Sequence, residues 1–353
     1  MSLPSLEQPF VIGSILTSIG PVPQVSSSLL WADHWGTFKA RWGIGRMNFT
    51  VEPGLYGLGK PDERSPVLVT ANYKMSFDKL REALTGRNVW ILVLDTKGVN
   101  VWCAAGKGTF GTTELVNRIE SSGLSQIVSH RELILPQLAG PGVSAHGVRR
   151  LSGFKVVYGP IRATDLPNFL EAGLEATPEM RLKTFTILER IVLIPIELIT
   201  ALKVGLIVVV ILFLLSLLGK AGQGWMMALS HGLFSGLAVL TAILAGTVLT
   251  PLLLPWLPGR AFSVKGLSLG LLSAAILLAF GWGGWITMTN RLGMLAWLLL
   301  IPALSAYLAM NFTGASTYTS LSGVKREMRW ALPLEIGTGI VGIFLWLGSN
   351  FIL

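Results

Sequence analysis

The chain has 353 residues, of which 51% are hydrophobic and only 13% are charged, well below the roughly 25% that is usual in soluble domains. Its formal net charge is +9, but the basic residues are scattered between apolar runs, which argues against nucleic acid as a partner. The single cysteine excludes an intramolecular disulfide and any metal site built from paired cysteines. Charge is scarce in one half: residues 200–353 hold only 8 of the 28 basic and 2 of the 19 acidic residues.

The first sixty residues are rich in Gly, Pro and Ser and show no clear hydrophobic period. We therefore predict that residues 1–60 form an irregular N-terminal arm packed on the sheet that follows. No Lys or Arg precedes Lys39, so the charged start of a secretory signal is missing. The N-terminal half is expected to lie in the cytoplasm.

Residues 61–180 alternate short apolar, β-branched runs with amphipathic stretches, a pattern typical of a parallel α/β sheet. Strands are predicted at 66–73, 89–94, 126–129 and 155–158. Helices are predicted at 76–86 (with Ser76 as the N-cap), 101–122 and 165–172.

A linker at 181–197 is predicted to lead into a transmembrane domain at 198–353. A spanning helix needs about 20 apolar residues, and the uncharged stretches predict an all-α domain of about five helices, at 198–218, 226–250, 267–287, 292–312 and 332–351. The alternative, a buried soluble bundle, is disfavoured because the apolar stretches are long and uniform. Basic residues are concentrated before the first helix and in the second and fourth loops. This bias predicts a multi-pass protein of the cytoplasmic membrane, with the N-terminal domain inside and the C-terminus outside.

The residues with the clearest chemistry are 100–107, NVWCAAGK, between a predicted strand and a predicted helix. Asn100 is a good N-cap, since its side-chain oxygen can accept the unpaired N–H groups of the first turn. Cys103 is then the third helical residue. The positive end of the helix dipole favours a thiolate there, and the thiolate is the form that binds metals.

A large planar ligand could approach this turn closely, because the residues that follow the cysteine are small. These residues are Ala104, Ala105 and Gly106, and they are flanked by Val101, Trp102 and Lys107. A thiolate on a smooth helical face suits a flat macrocycle with its metal centred on the sulfur.

The residues alone leave other interpretations open. A lone cysteine is most often an inert core residue. It could also be a nucleophile with His130 or His146 as its base. Residues 106–111, GKGTFG, match the dinucleotide pattern G-x-G-x-x-G, but that pattern must follow its strand directly, and the predicted strand ends well before it, near Leu94.

The segment NVWCAAGK resembles the cap-helix signature of HgcA, the corrinoid protein family of anaerobic mercury methylation. The resemblance covers most of residues 40–180 through the following segments: RWGIGRMNF (41–49), PGLYGLG (53–59), SPVLVTANYKMSFDKLR (65–81), WILVLDTKG (90–98), SHRELILPQL (129–138) and GFKVVYGPIRA (153–163). The eight-residue signature is highly specific, whereas the hydrophobic tail is not. The family also has a membrane-embedded C-terminal half.

This resemblance implies a Rossmann-like α/β corrinoid-binding domain, similar to that of the corrinoid iron–sulfur protein. Cys103 would be the lower axial ligand of cobalt in a cobalamin-type corrinoid. The implied enzyme is a corrinoid-dependent methyltransferase that passes a methyl group from methyl-cobalt(III) to Hg(II), giving methylmercury. An electron-rich thiolate opposite the methyl group would ease its departure as a carbanion equivalent.

The resemblance also implies two protein partners and an anaerobic cytoplasmic setting. An HgcB-like ferredoxin with iron–sulfur clusters would reduce Co(III) to Co(I), because this chain lacks the cysteines for a cluster. A folate-linked methyl donor protein would reload the cobalt. Two other functions stay open: a membrane-anchored corrinoid methyl carrier with a different acceptor, and a membrane transporter with a regulatory soluble domain.

Further cofactor contacts are predicted where strands end, because open α/β sheets bind ligands at the carboxyl ends of their strands. Each candidate could equally be loop or core structure. The candidates are Thr70, Ala71 and Asn72 after the first predicted strand, Thr96 after the second, His130 in the loop after the third, and Tyr158 and Gly159 after the fourth.

Overall fold

A computed structural model describes residues 3–219, 225–280, 291–315 and 321–351. It divides the chain into two compact units. The first comprises Met1–Ala40 and Ile44–Lys183, and the second comprises Arg41–Gly43 and Thr184–Leu353.

A seven-stranded mixed sheet forms the centre of the first unit. Its strands are β1 Val11–Thr17, β2 Gly20–Val25, β3 Gly54–Leu58, β4 Val67–Ala71, β5 Val89–Leu94, β6 Glu132–Leu135 and β7 Lys155–Tyr158, in the spatial order β1-β2-β3-β5-β4-β6-β7. Strands β5, β4, β6 and β7 run parallel, whereas β3 is antiparallel to β5. The predicted α/β class is confirmed, and the sheet is mixed because the first three strands join its edge.

Short helices pack on the sheet and surround two apolar cores. They are α1 Trp31–Arg41, α2 Lys74–Ala83, α3 Val101–Lys107, α4 Thr112–Ser121, α5 Leu124–Ile127, α6 Ala145–Ser152 and α7 Leu166–Glu171. The predicted strands near 66–73, 89–94 and 155–158 are confirmed, as is the helix near 165–172.

The third predicted strand is wrong. Residues 126–129 overlap the short helix α5, which begins after Gly123, a residue with φ of 59°. The strand lies further on, in β6, where Leu133, Ile134 and Leu135 are buried and pair with β7. A short apolar run cannot be assigned to helix or strand by its period alone.

Two predicted helices differ in their boundaries. The single helix expected at 101–122 is two helices, because Gly108 ends α3 with a φ of 82° and Gly111 is the N-cap of α4. The helix expected from 76 begins at Lys74, so Ser76 is not its N-cap. The N–H of Lys74 is bonded to the carbonyl of Phe49, which fixes the earlier start.

The prediction of an irregular arm over residues 1–60 is also wrong, since this stretch supplies β1, β2, β3 and α1. Its glycines permit close strand packing. A side chain at Gly57 would lie 2.4 Å from Ile15 Cδ1, so a larger residue there would require the Ile15 side chain to move. Such a glycine-rich strand lacks the β-branched alternation by which strands are recognised.

A buried ion network holds α1 against α2. Asp33 of α1 pairs with Lys74 and with the fully buried guanidinium of Arg81. Asp78 pairs with the same two cations. The Arg81 guanidinium also donates hydrogen bonds to the carbonyls of Ser26 and Ser28. Two carboxylates and two cations are therefore buried as one network.

This network makes the stability of the first unit depend on pH. Burial by itself raises the pKa of Asp33, but hydrogen bonds from Lys74 and from the Leu30 N–H, with the charges of Lys74 and Arg81, outweigh burial and lower it. A carboxyl group with a lowered pKa stabilises the fold above its unfolded pKa. That stabilisation is lost as the pH falls through the folded value.

We predict that Asp33→Asn lowers the free energy of unfolding by about 3 kcal/mol at neutral pH, because it leaves buried cations under-compensated. The wild type should lose stability as the pH falls below 3.8, the ordinary aspartate value, and the variant should lose less over that range. Thermal unfolding followed by circular dichroism measures both effects. Glu82→Gln, which breaks only the exposed pair with Lys79, is the control and should change stability by less than about 1 kcal/mol. Equal acid sensitivity of wild type and Asp33→Asn would contradict the prediction.

The second unit is helical. Its helices are α8 Ile187–Ile191, α9 Ile194–Gly219, α10 Trp225–Leu244, α11 Thr250–Leu253, α12 Phe262–Phe280, α13 Arg291–Met310 and α14 Leu321–Phe351. A π-turn at Ala245–Leu249 joins α10 to α11. Within the described ranges, five helical segments are long and apolar enough to cross a membrane, in agreement with the predicted number.

The helix limits differ from prediction mainly at charged residues. The last helix begins at Leu321 rather than 332, so the expected loop with Lys325, Arg326 and Arg329 is helical. The third begins at Phe262 rather than 267, and its expected end at 287 lies outside the described residues. The buried ammonium of Lys265 donates to the carbonyls of Leu254 and Leu257, at 2.8 and 2.7 Å, so this helix accommodates a charge.

Helices α12 and α13 approach each other at glycine. A side chain at Gly266 would lie 2.5 Å from the carbonyl oxygen of Ser305, and one at Gly270 would lie 2.6 Å from Pro302 Cα. Small residues four apart permit such backbone contact between apolar helices, where van der Waals packing drives association.

Candidate functional site

Cys103 lies in the first turn of α3, at a helix start that is capped by Asn100. The Asn100 side-chain oxygen accepts a hydrogen bond from the Cys103 N–H at 2.9 Å. The predicted N-cap is therefore confirmed. Cys103 is exposed and unpaired with any other cysteine, so the inert-core interpretation of this thiol does not hold.

The small residues of the motif face different ways. Ala104 and Ala105 are buried in the core, at 0% and 4% exposure, so their size serves packing. Gly106 is exposed, and a side chain added there would meet open space. Lys107 is exposed as well. Of the three small residues, Gly106 alone leaves room on the outer face of the helix.

Gly142 packs closely against the buried side of α3, a contact that the sequence does not predict. A side chain at Gly142 would lie 2.2 Å from the carbonyl oxygen of Phe110 and 2.9 Å from Ala105 Cα. Both are backbone contacts, so neither can yield by a change of rotamer. The signal available in the sequence was the GPG triplet at 140–142, which marks a turn without indicating its neighbour.

Asn72 and Thr96 position the loop that leads from β5 to α3. The Asn72 amide oxygen accepts hydrogen bonds from the N–H groups of Thr96 and Gly98, at 3.1 and 3.0 Å. The Thr96 hydroxyl lies 2.8 Å from the same oxygen and 2.7 Å from the carbonyl of Val99. The side chains of Asn72 and Thr96 are both buried, so their hydrogen bonds stabilise this loop and are not available to a ligand.

A cleft of about 370 Å³ opens at the carboxyl ends of β4 and β6. Its walls include Thr70, Leu135 and Pro136, with Asn100, Val101 and Trp102 from the start of α3. In the parallel set formed by β5, β4, β6 and β7, β4 comes first along the chain and lies between β5, the second, and β6, the third. The chain therefore reverses its direction of winding between β4 and β6, and open α/β sheets bind ligands at such a switch point.

The other predicted contacts are placed less favourably. Ala71 is fully buried in the core. The hydroxyl of Tyr158 donates to the carbonyl of Val143 at 2.6 Å, and burial raises the pKa of this side chain. Gly159 is buried against Ile134 and Phe169. The next residues, Pro160 and Ile161, line the cleft instead.

The assignment of His130 rested on the misplaced third strand. His130 precedes β6 rather than following a strand, so it lies at the amino edge of the sheet, away from the carboxyl ends. Its ring is within 2.9 Å of the Ser65 carbonyl and accepts the N–H of Glu132 at 3.3 Å. Both ring nitrogens are thus engaged, which argues against His130 as a base for Cys103.

The glycines of GKGTFG join two helices rather than a strand and a helix, with Gly108 ending α3 and Gly111 starting α4. This position does not suit a dinucleotide fingerprint. In the part of the chain that the structure describes, no group of three or more His, Cys, Asp or Glu side chains could hold a metal ion.

The first unit has recognisable relatives. Residues 45–169 match the family model of the CO dehydrogenase/acetyl-CoA synthase delta subunit. The match lies wholly within the first unit.

Several curated proteins are similar to this chain over 123 to 130 residues. The acetyl-CoA decarbonylase/synthase complex subunit gamma of Methanopyrus kandleri is 36% identical over 124 residues, 34% of this chain and 26% of the subunit. That of Methanocaldococcus jannaschii is 37% identical over 123 residues, 34% and 25% of the two chains. The gamma 2 subunit of Methanosarcina thermophila is 31% identical over 130 residues, 36% and 27%. The chain spans about a quarter of the length of these relatives.

We predict that Gly142→Ala destabilises the protein by about 1–3 kcal/mol, because the added methyl group would push Gly142 away from the Phe110 carbonyl and the backbone of α3. Gly106→Ala is the matched control: it adds the same methyl group to α3 itself, but in open space, and should stabilise by up to about 1 kcal/mol. Chemical denaturation of the cofactor-free protein compares the two. Equal effects of the two substitutions would show that Gly142 is not a tight contact.

Proposed function

We propose that this protein is a corrinoid-dependent methyltransferase in which Cys103 is the lower axial ligand of cobalt and Hg(II) is the methyl acceptor. The observation that carries the proposal is the single thiol of the chain, exposed on the capped first turn of α3. The same turn forms a wall of the cleft at the switch point of the sheet.

Three further facts support the proposal. The family match over residues 45–169 is to a subunit of CO dehydrogenase/acetyl-CoA synthase. The relatives are named as subunits of acetyl-CoA decarbonylase/synthase complexes, which favours protein partners here as well. The motif NVWCAAGK resembles the cap-helix signature of the mercury-methylating corrinoid family, and this resemblance alone favours mercury over other acceptors.

The residues present fit a corrinoid. A flat macrocycle centred on a thiolate needs an accessible sulfur and an outer helix face without bulky side chains, and Cys103 and Gly106 supply these. Val101, Trp102 and Lys107 would border the ring, whereas Thr70 lies in the adjoining cleft. Asn100, Ala104, Ala105, Asn72 and Thr96 would act by holding the helix and its loop. Tyr158 and Gly159 would act indirectly, by fixing the position of Pro160, which lines the cleft.

The chain would contribute the ligand and its orientation. The Asn100 cap would fix the first turn of α3 and so hold Cys103 in position for the metal. As a metal ligand, the Cys103 sulfur would donate electron density to cobalt, which would ease methyl transfer. When bound, the corrinoid would supply a cobalt-carried methyl group, which Hg(II) would accept together with both electrons of the broken bond.

Restoring the cofactor would require two partners. A corrinoid that had given up a methyl group with its bonding electrons would have to be reduced before it could accept another, so an electron donor such as an HgcB-like ferredoxin would be needed. A folate-linked methyl donor protein would then reload the site. Both partners would act in an anaerobic cytoplasm.

We also propose that the second unit spans the cytoplasmic membrane with the α/β unit inside and the C-terminus outside, as the basic residues Arg181 and Lys183 before the first candidate span favour. Cys103 provides a direct check because it is the only cysteine. A membrane-impermeant maleimide should label it in inside-out vesicles and not in intact cells. Labelling of Cys103 in intact cells would indicate the opposite orientation.

We predict a sulfur-ligated cobalt spectrum when the full-length protein in detergent is titrated anaerobically with cobalamin. The signal, followed by absorbance and by electron paramagnetic resonance, should disappear in Cys103→Ala. Gly106→Ala, which leaves the thiol intact, should keep sulfur ligation but weaken binding about tenfold or more, since a crowding methyl group costs about 1–3 kcal/mol. Identical spectra for wild type and Cys103→Ala would refute thiolate ligation.

We predict that methyl-loaded protein converts Hg(II) to methylmercury and that Cys103→Ala does not. Mass spectrometric detection of methylmercury, beside the methylated products of other thiophilic acceptors under the same conditions, measures the preference for Hg(II).

A second function is favoured by the names of the relatives: a membrane-anchored methyl carrier that serves another acceptor. If the methyl group were transferred to other acceptors and little or none to Hg(II), the result would favour the methyl carrier with another acceptor.

A further inference from the structure

The outer face of α1 is a stripe of exposed aromatic side chains. Trp31, Trp35 and Phe38 are 79%, 49% and 46% exposed, and their spacing of four and three residues places them on one side of the helix. The rings of Trp35 and Phe38 stack with centroids 5.1 Å apart and planes 10° apart. Two more exposed apolar residues, Ile44 and Met47, follow the helix in sequence and are 60% and 64% exposed.

The opposite face fixes this orientation. Asp33 and Ala40 are buried on the inner side, and Asp33 is held by the ion pairs with Lys74 and Arg81. Gly36 lies against the ring of Phe49, where a side chain would come within 2.5 Å of Cε2. The helix cannot turn to bury its aromatic stripe without breaking buried ion pairs.

Such a stripe has the chemistry of a helix at a lipid surface. Water-soluble proteins rarely expose contiguous apolar patches of this kind. Tryptophan concentrates at the membrane–water interface, and amphipathic helices with aromatic faces lie in its plane. Residues 31–47 contain three basic residues, Lys39, Arg41 and Arg46, and one acid, the buried Asp33. Their charge complements anionic headgroups.

Chain continuity favours a membrane over a protein as the occupant of this surface. The residues that follow the stripe, Arg41–Gly43, belong to the second unit. There, a side chain at Gly43 would lie 2.9 Å from Ile196 Cδ1, near the start of α9. Since α9 is part of the first candidate span, the chain passes directly from the aromatic helix to a contact with a membrane-spanning segment.

We infer that α1 is an interfacial helix, whose Trp31, Trp35 and Phe38 side chains insert into the surface of a lipid bilayer. The inference rests on the membrane location proposed for the second unit and not on the corrinoid chemistry. A lipid surface would cover the apolar stripe that the protein leaves exposed, and the buried ion network would transmit the position of α1 to α2 and the sheet.

The test uses full-length protein with a single fluorescent label. In a Cys103→Ser background, a thiol-reactive fluorophore is attached at Trp31→Cys, Trp35→Cys, Glu120→Cys or Ile340→Cys. Glu120 is an exposed polar residue of α4, and Ile340 is an exposed apolar residue of α14. Each protein is placed in nanodiscs of phosphatidylcholine and phosphatidylglycerol. Quenching by doxyl-labelled lipid is then compared with quenching by iodide.

The labels at Trp31 and Trp35 should be quenched by lipid several-fold more strongly than the label at Glu120, and should be protected from iodide. Iodide quenching equal to that at Glu120 would overturn the inference, because the stripe would face water. Protection from both quenchers would overturn it in favour of a protein partner. If lipid does not quench the label at Ile340, the second unit is not inserted in the membrane, and this inference is overturned with that proposal. No corrinoid is present, so these outcomes are separate from the methyl-transfer tests.

Discussion

The amide oxygen of Asn72 is the point on which the geometry of the site depends. It accepts the N–H groups of Thr96 and Gly98, and the Asn72 N–H is itself bonded to the carbonyl of Leu94. The end of β4, the end of β5 and the loop before α3 are therefore one connected piece. The thiol of Cys103 is presented by the sheet through this loop. A ligand site supported in this way needs little rearrangement when it is filled.

The chemistry of the cysteine turn could be predicted from sequence because it depends on local rules. An Asn before a helical stretch is an N-cap wherever it occurs, and Asn100 bonds the Cys103 N–H as expected. The contact of Gly142 with Ala105 could not be predicted, since it joins residues far apart in the chain whose only shared property is small size. For the same reason the strands of the first sixty residues are not predicted. Their glycines allow close packing against neighbouring residues, and glycine is not a residue that is typical of strands.

In the helical unit, the length of the apolar stretches correctly gave the number of candidate spans, but charged residues misled the placement of their ends. Lys265 and Glu327 are buried, and their charges are used inside the unit. Lys265 bonds two carbonyls, and Glu327 accepts the N–H of Ser263. A charge that is satisfied by the backbone does not end a helix. Only the structure distinguishes such residues from those of a solvated loop.

The isolation of Cys103 affects how the protein would respond to air. Its exposed thiol can be oxidised to the sulfenic acid. Proteins with a neighbouring cysteine trap this species as a disulfide that can be reduced again, but this chain has no second thiol. Oxidation would therefore proceed to the irreversible sulfinic and sulfonic acids, or join two molecules of the protein. A ligand seated on the sulfur would protect it, so an empty site would be the form most easily destroyed by oxygen.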